Sequence, residues 1–532
     1  MTCIGCSAFS SLQLLLFAYG RDQGIYAVVA DTMLHGGMPY RDAWDFKPPG
    51  IFFIYAAAQL FLGRGEWAIR AFEVAGLLSM VFAFTILARR FFGDWRIGLV
   101  GGALGTLVHA QLEFWHTAQP ESFGAILIAW ALVAATSDGS GRRNSHHRER
   151  MGWVIAGALY GFAGLLKPPL AGCALVSAFF ASRNVAARDR RLWPRIEPFV
   201  VMGLAGTLTV GLCALFFAGR GAFGDLYDAI FVFAPGYTKL GWQAADPAGA
   251  LYYAVEKWLT NYSALNAVGI LAAFLLPPLA SREREGALHV LGVVAMQLVG
   301  VAMQGKFFPY HFGASLPLGG LLAGLGAWKL WARACSRPSW GVPAFAIATF
   351  ALLEARSATR DTATGFLDRS MTRLAWLVGN GDKASLDAQL YSVADVSNEE
   401  NRRVASLLRA MLKPSDRVFI WGFEPHIHAL SERRPASRYI YNVPQRVAWA
   451  RDEARATLMR ELRATPPAAI VVERGDVFPM VTGDHLDSAR ALDEFSELAA
   501  FVEGDYELAA QIGDFDVYFA RSHLASSTRD AD

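Results

Sequence analysis

The stretch "YRDAWDFKPPGIFFIY", residues 40–55, sets a run of charges directly against an apolar segment. Arg41, Asp42, Asp45 and Lys47 are followed by two prolines and then by an uninterrupted apolar run. Water would reject the second half of this stretch, whereas hydrocarbon would reject the first half. The stretch therefore predicts a segment that lies where a membrane borders water.

The composition of the whole chain agrees with a membrane protein. The 532 residues are 54% hydrophobic and only 18% charged, which is too apolar for a soluble enzyme of this size. A net charge of +2 gives no reason to expect a nucleic-acid partner. Cys3 and Cys6 form a C-x-x-C without a second pair, which we interpret as structural or incidental rather than as a redox or zinc site.

Eleven apolar segments approach the length of a spanning helix, which is about 20 residues. They are 3–20, 67–88, 97–112, 120–136, 151–166, 169–182, 197–218, 262–280, 287–303, 312–332 and 340–354. The segment 48–63 is also apolar, but it is short and begins with two prolines. The sequence thus predicts a mainly α protein, a polytopic transmembrane bundle of about eleven crossings.

The basic linkers predict which side of the membrane each loop occupies. Retained cytoplasmic loops are the basic ones. If 48–63 does not cross, all five basic linkers fall on the cytoplasmic side, namely 89–96, 137–150, 183–195, 281–286 and 329–337. We therefore expect 48–63 to be an interfacial or re-entrant helix on the outer face. The interpretation predicts a multi-pass protein of the inner (cytoplasmic) membrane, with its C-terminal domain periplasmic or extracellular.

The composition becomes globular after about residue 356. Strand patterns at 416–423 and 468–475 alternate with a helical pattern at 447–465, and 506–522 has the pattern of a closing hairpin. This alternation is typical of a small α/β domain. We predict a transmembrane domain over residues 1–355 and a soluble α/β domain over residues 356–532.

The candidate chemistry collects on the predicted outer face. Polar clusters lie in the first loop 20–47, in the turn 113–121, at 167 and in 304–311. A lysine binds phosphate as a point charge, and a carboxylate can accept the proton of an attacking hydroxyl. Carboxylates together with Lys47, Lys167 and Lys306 therefore suit a site that holds a phosphate and removes a proton.

The first outer loop resembles a known family. Residues 21–56, "RDQGIYAVVADTMLHGGMPYRDAWDFKPPGIFFIYA", are similar to the first loop of GT-C membrane glycosyltransferases, which include protein O-mannosyltransferases and lipid A aminoarabinose transferases. The matching positions are Asp22, Tyr26, Pro39-Tyr40 and Lys47-Pro48-Pro49. Further similar segments are "QPESFGAIL" (119–127), "LLKPPLAG" (165–172), "GKFFPYHFGASLPLGGLLAG" (305–324) and "PSDRVFIWGFEPHIHALSERRPASRY" (414–439). Gln23 stands where the family has a second acid, which argues against a metal held by two adjacent carboxylates.

The resemblance implies a glycosyltransferase. The expected reaction moves a sugar from a polyprenyl-phosphate donor to an extracytoplasmic lipid, polysaccharide or protein acceptor, with inversion and with Asp22 as the general base. Glu121 is the second candidate catalytic residue. The candidates for binding the donor phosphate are Lys47, Lys306, Lys167 and Arg70, and those for binding substrate are Tyr26, Tyr40, Asp45 and His311. No cofactor is required on this interpretation, and a divalent cation is not indicated.

Simpler roles and other function classes stay open at this point. Asp22 and Glu121 could cap helices, and Lys47 could be an interfacial lysine whose head reaches water. A lipid-linked sugar flippase would also combine many helices with buried charge, but it would be expected to place charge near the bilayer midplane and often to show internal repeats. A membrane-anchored binding or sensor protein would explain the C-terminal domain but not eleven crossings.

Overall fold

The computed structural model describes residues 2–136, 145–242, 246–262, 264–275, 279–341, 343, 346, 363–391 and 397–523. Most of the first two thirds of this part is helical. The helices are α1 (Thr2–Leu12), α2 (Arg21–Leu34), α3 (Gly50–Leu62), α4 (Glu66–Phe92), α5 (Trp95–Gln111), α6 (Glu113–His116), α7 (Pro120–Ala135), α8 (Ser145–Leu166), α9 (Cys173–Ala186), α10 (Leu192–Gly219), α11 (Phe223–Tyr227), α12 (Ala234–Gly241), α13 (Pro247–Lys257), α14 (Ala264–Leu275), α15 (Ser281–Gln304) and α16 (Ser315–Ser336).

Short helical segments of other kinds connect these helices. Short 3₁₀ helices span Gln13–Leu16, Pro168–Gly172, Pro309–Phe312 and Pro338–Trp340. Segments of π-helix span Asp228–Phe233 and Trp258–Tyr262. The prolines at 168 and 309 each open such a segment, because proline supplies no backbone N–H and suits a first helical turn.

Three helices of the described part are long and apolar enough to cross a membrane, and they are α4, α10 and α15. The number rises to four if Cys3–Leu16 and Arg21–Leu34, which are bent by 70°, count as one span. The predicted count of eleven crossings is therefore not confirmed. Ten of the eleven predicted apolar segments do coincide with helices, whereas most of 340–354 lies outside the described residues.

The first predicted span, 3–20, needs a correction. The structure ends the helical run at Leu16 and leaves residues 17–20 without helix before α2 begins. α2 continues at an angle of 70° to the preceding helical run, and its first turn carries Asp22. Burial of Ile25, Tyr26 and Val29 on α2 stabilises this arrangement in place of a straight span.

The segment 48–63 forms α3, which has 13 residues. At about 1.5 Å per residue this helix is roughly 20 Å long, too short for a hydrocarbon core of about 30 Å. It lies against α2, α4 and α8, and its last turn exposes Leu60 and Phe61. This is the geometry expected of an interfacial helix.

Close packing of small residues holds α5 against α16. A Cβ on Gly101 would lie 2.7 Å from the Cα of Leu321, and one on Gly320 would lie 2.7 Å from the backbone N of Gly105. Helices in lipid gain little from apolar burial, since lipid tails are equally apolar, so they associate where small residues let backbones approach. The glycines of α5 and α16 therefore fix the centre of the bundle.

The C-terminal part is a mixed α/β domain, as the sequence predicts. Its five strands are β1 (Arg417–Trp421), β2 (Arg434–Pro435), β3 (Ala469–Glu473), β4 (Tyr506–Ile512) and β5 (Phe515–Ala520), in the order β2-β1-β3-β5-β4. β1 pairs in parallel with β2 and β3, and β5 pairs antiparallel with β3 and β4. Helices of this part span Ala363–Leu377, Lys383–Tyr391, Asn398–Met411, His426–Ser431, Val443–Arg446, Arg451–Ala464, Pro479–Thr482, Ser488–Asp493 and Ser496–Asp505. The predicted boundary at 355/356 lies outside the described residues.

The C-terminal domain is docked on the first loop, residues 20–47. The backbone N–H of Trp44 donates to the carbonyl of Arg438 at 2.7 Å, and Trp44 forms an isolated parallel bridge with Tyr439. Arg402 pairs with Glu66 at the start of α4. These contacts close the domain over the end of the bundle where α2 begins.

Candidate functional site

The centre of the site is an ion pair between Asp22 and Lys47. Asp22 lies in the first turn of α2, where a carboxylate is favoured by the helix dipole. Lys47 Nζ is 3.0 Å from Asp22 Oδ1, and both side chains are 17% exposed. Gln119 Nε2 donates to Asp22 Oδ2 at 3.2 Å, and Tyr26 OH donates to Gln119 Oε1 at 3.1 Å. Tyr26 thus fixes the amide that orients the carboxylate.

The loop that carries Lys47 is held from behind. Tyr40 has a positive φ of 71°, which is costly for a tyrosine, and its hydroxyl donates to the carbonyl of Lys47 at 2.7 Å. The Lys47 ammonium also lies 5.2 Å from the centre of the Tyr26 ring, within the range of a cation–π contact. Packing therefore places the ammonium beside Asp22 and away from bulk water.

Asp22 and Lys47 line a cavity of about 330 Å³. Its walls come from the first loop, the 115–116 and 308–310 turns, α12 and the C-terminal domain. The lining residues are Arg21, Asp22, Ile25, Phe46, Lys47, Trp115, His116, Tyr237, Phe308, Tyr310, Phe423, Tyr441, Val443, Phe478 and Val481. A mostly aromatic wall with a few charged groups is the usual character of a ligand cavity.

The other two candidate lysines lie close to the cavity. Lys167 pairs with Glu121, and its ammonium is 5.5 Å from the centre of the Tyr310 ring. Lys306 Nζ donates to the Met480 carbonyl at 2.5 Å and lies 3.1 Å from the centre of the Tyr237 ring. Lys306 has no carboxylate partner among the residues that the structure describes. Of the three lysines it is the one whose charge is not already offset by an acid.

Burial and mutual repulsion set the pKa of these lysines. Burial would lower the pKa of Lys47, but the Asp22 and Asp45 carboxylates outweigh it and raise that pKa. Burial, together with repulsion by Lys47, lowers the pKa of Lys306 to about 7. Burial also lowers the pKa of Lys167, against the effect of Glu121. Lys47 is thus firmly charged, whereas Lys306 titrates near neutral pH.

The histidines of the site are neutral at neutral pH. Burial lowers the pKa of His116 to about 4, and its ring stacks on Tyr310 with centroids 5.9 Å apart. Burial and the nearby lysines lower the pKa of His311 well below its ordinary value. Neither ring therefore adds positive charge for a phosphate.

The remaining predicted residues lie around the cavity rather than on it. Asp45 is fully buried and accepts a hydrogen bond from Tyr441 OH at 2.7 Å, and burial raises its pKa. Tyr26, Tyr40 and His311 are also buried and are not lining residues. Glu121 is buried in the first turn of α7, facing Lys167.

Arg70 is not brought to the cavity. It is fully buried in α4, where it lies 3.3 Å from Glu73 and donates to Thr117 Oγ1 at 2.9 Å and to the carbonyls of Ala18 and Phe114 at 2.7 and 2.9 Å. These contacts tie the end of the first helical run to the 113–118 turn. The structure therefore places Arg70 in a buried polar network that supports the site from behind.

Strained backbone surrounds the cavity. Five non-glycine residues of the described part have positive φ, and four of them lie in the turns around the site: Tyr40, Glu113, Ala118 and Phe307. Such conformations cost about 1–3 kcal/mol each and persist only where the surroundings over-determine them. These four residues therefore depend on the packing around the site to keep their backbone conformation.

The sequence analysis missed the contribution of the C-terminal domain to the cavity. Phe423, Tyr441 and Phe478 line it, although they lie more than 370 residues from Lys47 in the chain. Phe423 belongs to a segment that resembles the family, but nothing in the local sequence indicates Tyr441 or Phe478. Arg21 was also missed, because its neighbours are distant in sequence.

No group of three or more His, Cys, Asp or Glu side chains is arranged to hold a metal ion within the described part of the chain. Asp22 has Gln23 beside it, and the Gln23 amide donates to the carbonyls of Phe114, Trp115 and Thr117 at 2.7–3.1 Å. Gln23 therefore packs the base of the site and does not supply a second carboxylate.

Comparison with known proteins supports the resemblance found in the sequence. The family model described as "Dolichyl-phosphate-mannose-protein mannosyltransferase" matches residues 46–215, from the residue before Lys47 to α10. No curated protein sequence matches the chain.

Two solved structures of one protein share the fold of this chain. The structure of ArnT from Cupriavidus metallidurans bound to undecaprenyl phosphate has a TM-score of 0.58 at 16% sequence identity, covering 97% of this chain and 97% of that chain. Its apo structure has a TM-score of 0.57 at 16% identity, covering 96% and 95%. An oligosaccharyltransferase from Archaeoglobus fulgidus has a TM-score of 0.48 at 14% identity, covering 97% of this chain and 73% of that one. The family match and the ArnT-like fold together support a GT-C superfamily membrane glycosyltransferase.

Proposed function

We propose that this protein transfers a sugar from a polyprenyl-phosphate donor to an extracytoplasmic acceptor, with Asp22 as the general base. The observation that carries the proposal is the Asp22 carboxylate, held 3.0 Å from Lys47 on the wall of an aromatic cavity. The similarity of fold to an ArnT that binds undecaprenyl phosphate supports a donor of that chemical class.

The reaction is a single displacement at the anomeric carbon. The acceptor hydroxyl attacks that carbon while Asp22 accepts the hydroxyl proton, and the bond from the carbon to the phosphate oxygen breaks. The leaving polyprenyl phosphate keeps the electron pair of that bond. Attack from the face opposite the leaving oxygen inverts the configuration of the sugar.

Lys47 and Lys306 offset charge on the leaving phosphate. The ammonium of Lys47 has three N–H donors, so it can hold Asp22 and still donate to a phosphate oxygen. Lys306 has no carboxylate partner in the described structure, so its charge is available to the donor whenever it is protonated. Charge on the phosphate grows as the bond breaks, and interactions that strengthen in this way lower the barrier.

The position of the site suits a lipid-linked donor. A polyprenyl tail is as apolar as lipid, so its phosphate must be met where hydrocarbon borders water. Lys47 stands immediately before the two prolines that lead into α3, whose last turn exposes apolar side chains. The charged group of the donor would then face the cavity while its tail stays in the membrane.

The acceptor is a lipid, polysaccharide or protein on the outer side of the inner membrane. The C-terminal domain covers the cavity, so it is placed to select the acceptor. On this proposal the basic linkers face the cytoplasm and the C-terminal domain lies outside.

Consumption of donor by the purified full chain tests the proposal. The protein is incubated in detergent with a panel of undecaprenyl-phosphate sugars and with lipid, polysaccharide and protein fractions of a bacterial envelope. We expect acceptor-dependent release of undecaprenyl phosphate and inverted product. If no donor of the panel is consumed, and a donor only moves across liposomes containing the protein, the chain is a transporter and the proposal fails.

A further inference from the structure

Arg21, the residue before Asp22, links the two halves of the molecule at the cavity wall. Its guanidinium carbon lies 4.3 Å from the centre of the Phe478 ring and 5.1 Å from that of Trp115. Phe478 belongs to the C-terminal domain and Trp115 to the bundle, and all three residues line the cavity. Arg21 is 7% exposed, so its charge must be answered by the protein.

Two carboxylates of the C-terminal domain, Glu424 and Glu473, lie beside the Arg21 guanidinium. Arg21 Nε is 2.7 Å from Glu424 Oε1, and its NH2 is 3.5 Å from Glu473 Oε1. Glu424 is itself held by His426 Nδ1 at 3.1 Å and by Asn401 Nδ2 at 3.3 Å. Glu473 Oε2 accepts the backbone N–H of Phe423 at 2.5 Å, so the same cluster anchors one of the cavity's aromatic residues.

Glu424 is the charged partner of Arg21. Burial would raise the pKa of Glu424, but Arg21 and His426 outweigh it and lower that pKa. Burial raises the pKa of Glu473 well above its ordinary value, and Asp476 and Glu424 raise it further. Burial therefore disfavours a charge on Glu473, and Glu424 is also the closer of the two carboxylates to Arg21, at 2.7 Å against 3.5 Å.

We propose that Arg21 and Glu424 form a positioning pair that holds the C-terminal wall over the reaction cavity and orients the first turn of α2, and hence Asp22. This inference rests on the proposed function. A buried ion pair is a poor source of net stability, but removing one partner leaves the other charge unpaired and is costly. Such a pair therefore specifies a geometry more than it adds stability.

Other contacts dock the domain, so the pair is not needed to attach it. The backbone N–H of Trp44 donates to the carbonyl of Arg438, and the Tyr441 hydroxyl donates to Asp45. Arg402 forms an ion pair with Glu66. Loss of the Arg21 pair should thus leave the domain in place while the wall between 474 and 483 loosens. Catalysis should suffer more than folding.

The test compares Arg21→Gln, Glu424→Gln and the double variant with Arg402→Gln, which breaks an interdomain pair that does not line the cavity. We expect kcat of each single variant to fall roughly 10- to 100-fold, since a misplacement of about 1 Å can cost about 10²-fold. Arg402→Gln should stay within about twofold of the parent, because this part-buried pair lies away from the cavity wall. The double variant should be no slower than the slower single variant, since residues that act as one pair are non-additive.

Two further readouts separate positioning from a general loss of structure. Backbone hydrogen exchange at 474–483 should rise in both single variants and not in Arg402→Gln, while all variants keep the elution profile of the parent. Arg21→Lys should recover part of kcat, because it keeps the charge but loses the planar fork.

The inference is overturned if both single variants keep kcat within about twofold of an active parent, or if their effects multiply in the double variant. If the parent transfers no sugar, the proposed function fails instead. In that case unchanged exchange at 474–483 in Arg21→Gln would also reject the pair as the device that holds the wall.

Discussion

At the scale of single residues, we propose that one carboxylate and two lysines carry different parts of the reaction. Asp22 is bonded by Lys47 and Gln119 and lies on the cavity wall, whereas Glu121 is buried against Lys167 away from it. Only Asp22 is therefore placed to meet an acceptor hydroxyl. Lys306 differs from Lys47 in having no acid beside it in the described structure, so its charge responds to pH.

Asp22→Asn should remove the base while keeping its size. We expect turnover to fall by about 10² to 10⁴, the usual contribution of general-base catalysis, with donor affinity almost unchanged. Donor binding and initial rates measured in one detergent preparation check this. Glu121→Gln, in which the acid that pairs with Lys167 is neutralised, is the matched comparison. Near-normal turnover of Asp22→Asn would make Glu121 the next candidate for the base.

The pH dependence of donor binding should report Lys306. Its pKa is lowered to about 7 by burial and by Lys47, so the side chain is charged below that pH and becomes neutral as pH rises through it. A polyprenyl-phosphate sugar is a phosphodiester, whose single charge does not change in this range. Donor binding should therefore weaken from pH 6 to pH 8.

Lys306→Arg is the matched control, because arginine stays charged throughout this range. Donor affinity of Lys306→Arg should be nearly constant from pH 6 to pH 8, and Lys306→Ala should bind weakly at both values. Equal pH dependence in the parent and in Lys306→Arg would assign the titration to another group.

At the scale of elements, α2 packs closely against the C-terminal helix His426–Ser431. Gly24 on α2 faces His426 so closely that a Cβ would lie 2.4 Å from the His426 Cβ and 2.9 Å from its backbone N. Real Cβ atoms do not approach so closely, so any side chain here must push the two elements apart. The absence of a side chain at Gly24 thus allows α2 to pack directly against His426 of the C-terminal domain.

Gly24→Ala should separate α2 from the C-terminal domain and lower both stability and turnover. Overpacking of this kind typically costs about 1–3 kcal/mol. Gly203→Ala on α10 is the control, since nothing lies within 4 Å of its Cβ position and alanine favours helix. Thermal unfolding and donor consumption of both variants check the prediction, which is wrong if Gly24→Ala unfolds at or above the temperature of Gly203→Ala.

At the scale of the whole molecule, the cavity constrains the topology. Phe46 and Lys47 of the first loop share its wall with Phe423 and Tyr441 of the C-terminal domain, so these regions must lie on one side of the membrane. α4 starts at Glu66, which contacts Arg402 of that domain. Its basic end at Arg89 and Arg90 lies about 35 Å away at about 1.5 Å per residue.

Reporter fusions test this arrangement. A reporter placed after residue 356 should be active outside the cytoplasm, and one placed within 137–150 should behave as cytoplasmic, because the basic linkers are retained inside. The opposite pattern would reverse the predicted orientation, although the first loop and the C-terminal domain would still share a side.

The C-terminal domain alone should lack activity. The proposed general base and the candidate phosphate-binding lysines all belong to the first 306 residues, and the domain adds walls of the cavity and carboxylates that contact Arg21. We expect a fragment from about residue 360 to 532 to be soluble without consuming donor. Turnover by the purified fragment would instead place the active site in the C-terminal domain.

The sequence by itself determined the helical membrane character, the α/β pattern after residue 356 and the choice of Asp22 and Lys47 as candidates in the first loop. These features depend on composition, on local periodicity and on a motif of neighbouring residues, all of which are present in a short window of chain. The short length of α3 could also be predicted locally, since Pro48 and Pro49 precede the helix and Gly63 follows it.

Only the tertiary structure decided which candidates meet. It placed Arg70 in a buried network, where Glu73, Thr117 and two backbone carbonyls contact its terminal guanidinium nitrogens. It brought Tyr441 and Phe478 to the cavity, and Glu424 to Arg21, from about 400 residues away, which no local pattern encodes. The bend after Leu16 has the same origin, because burial of α2 against distant elements outweighs the apolar length of 3–20.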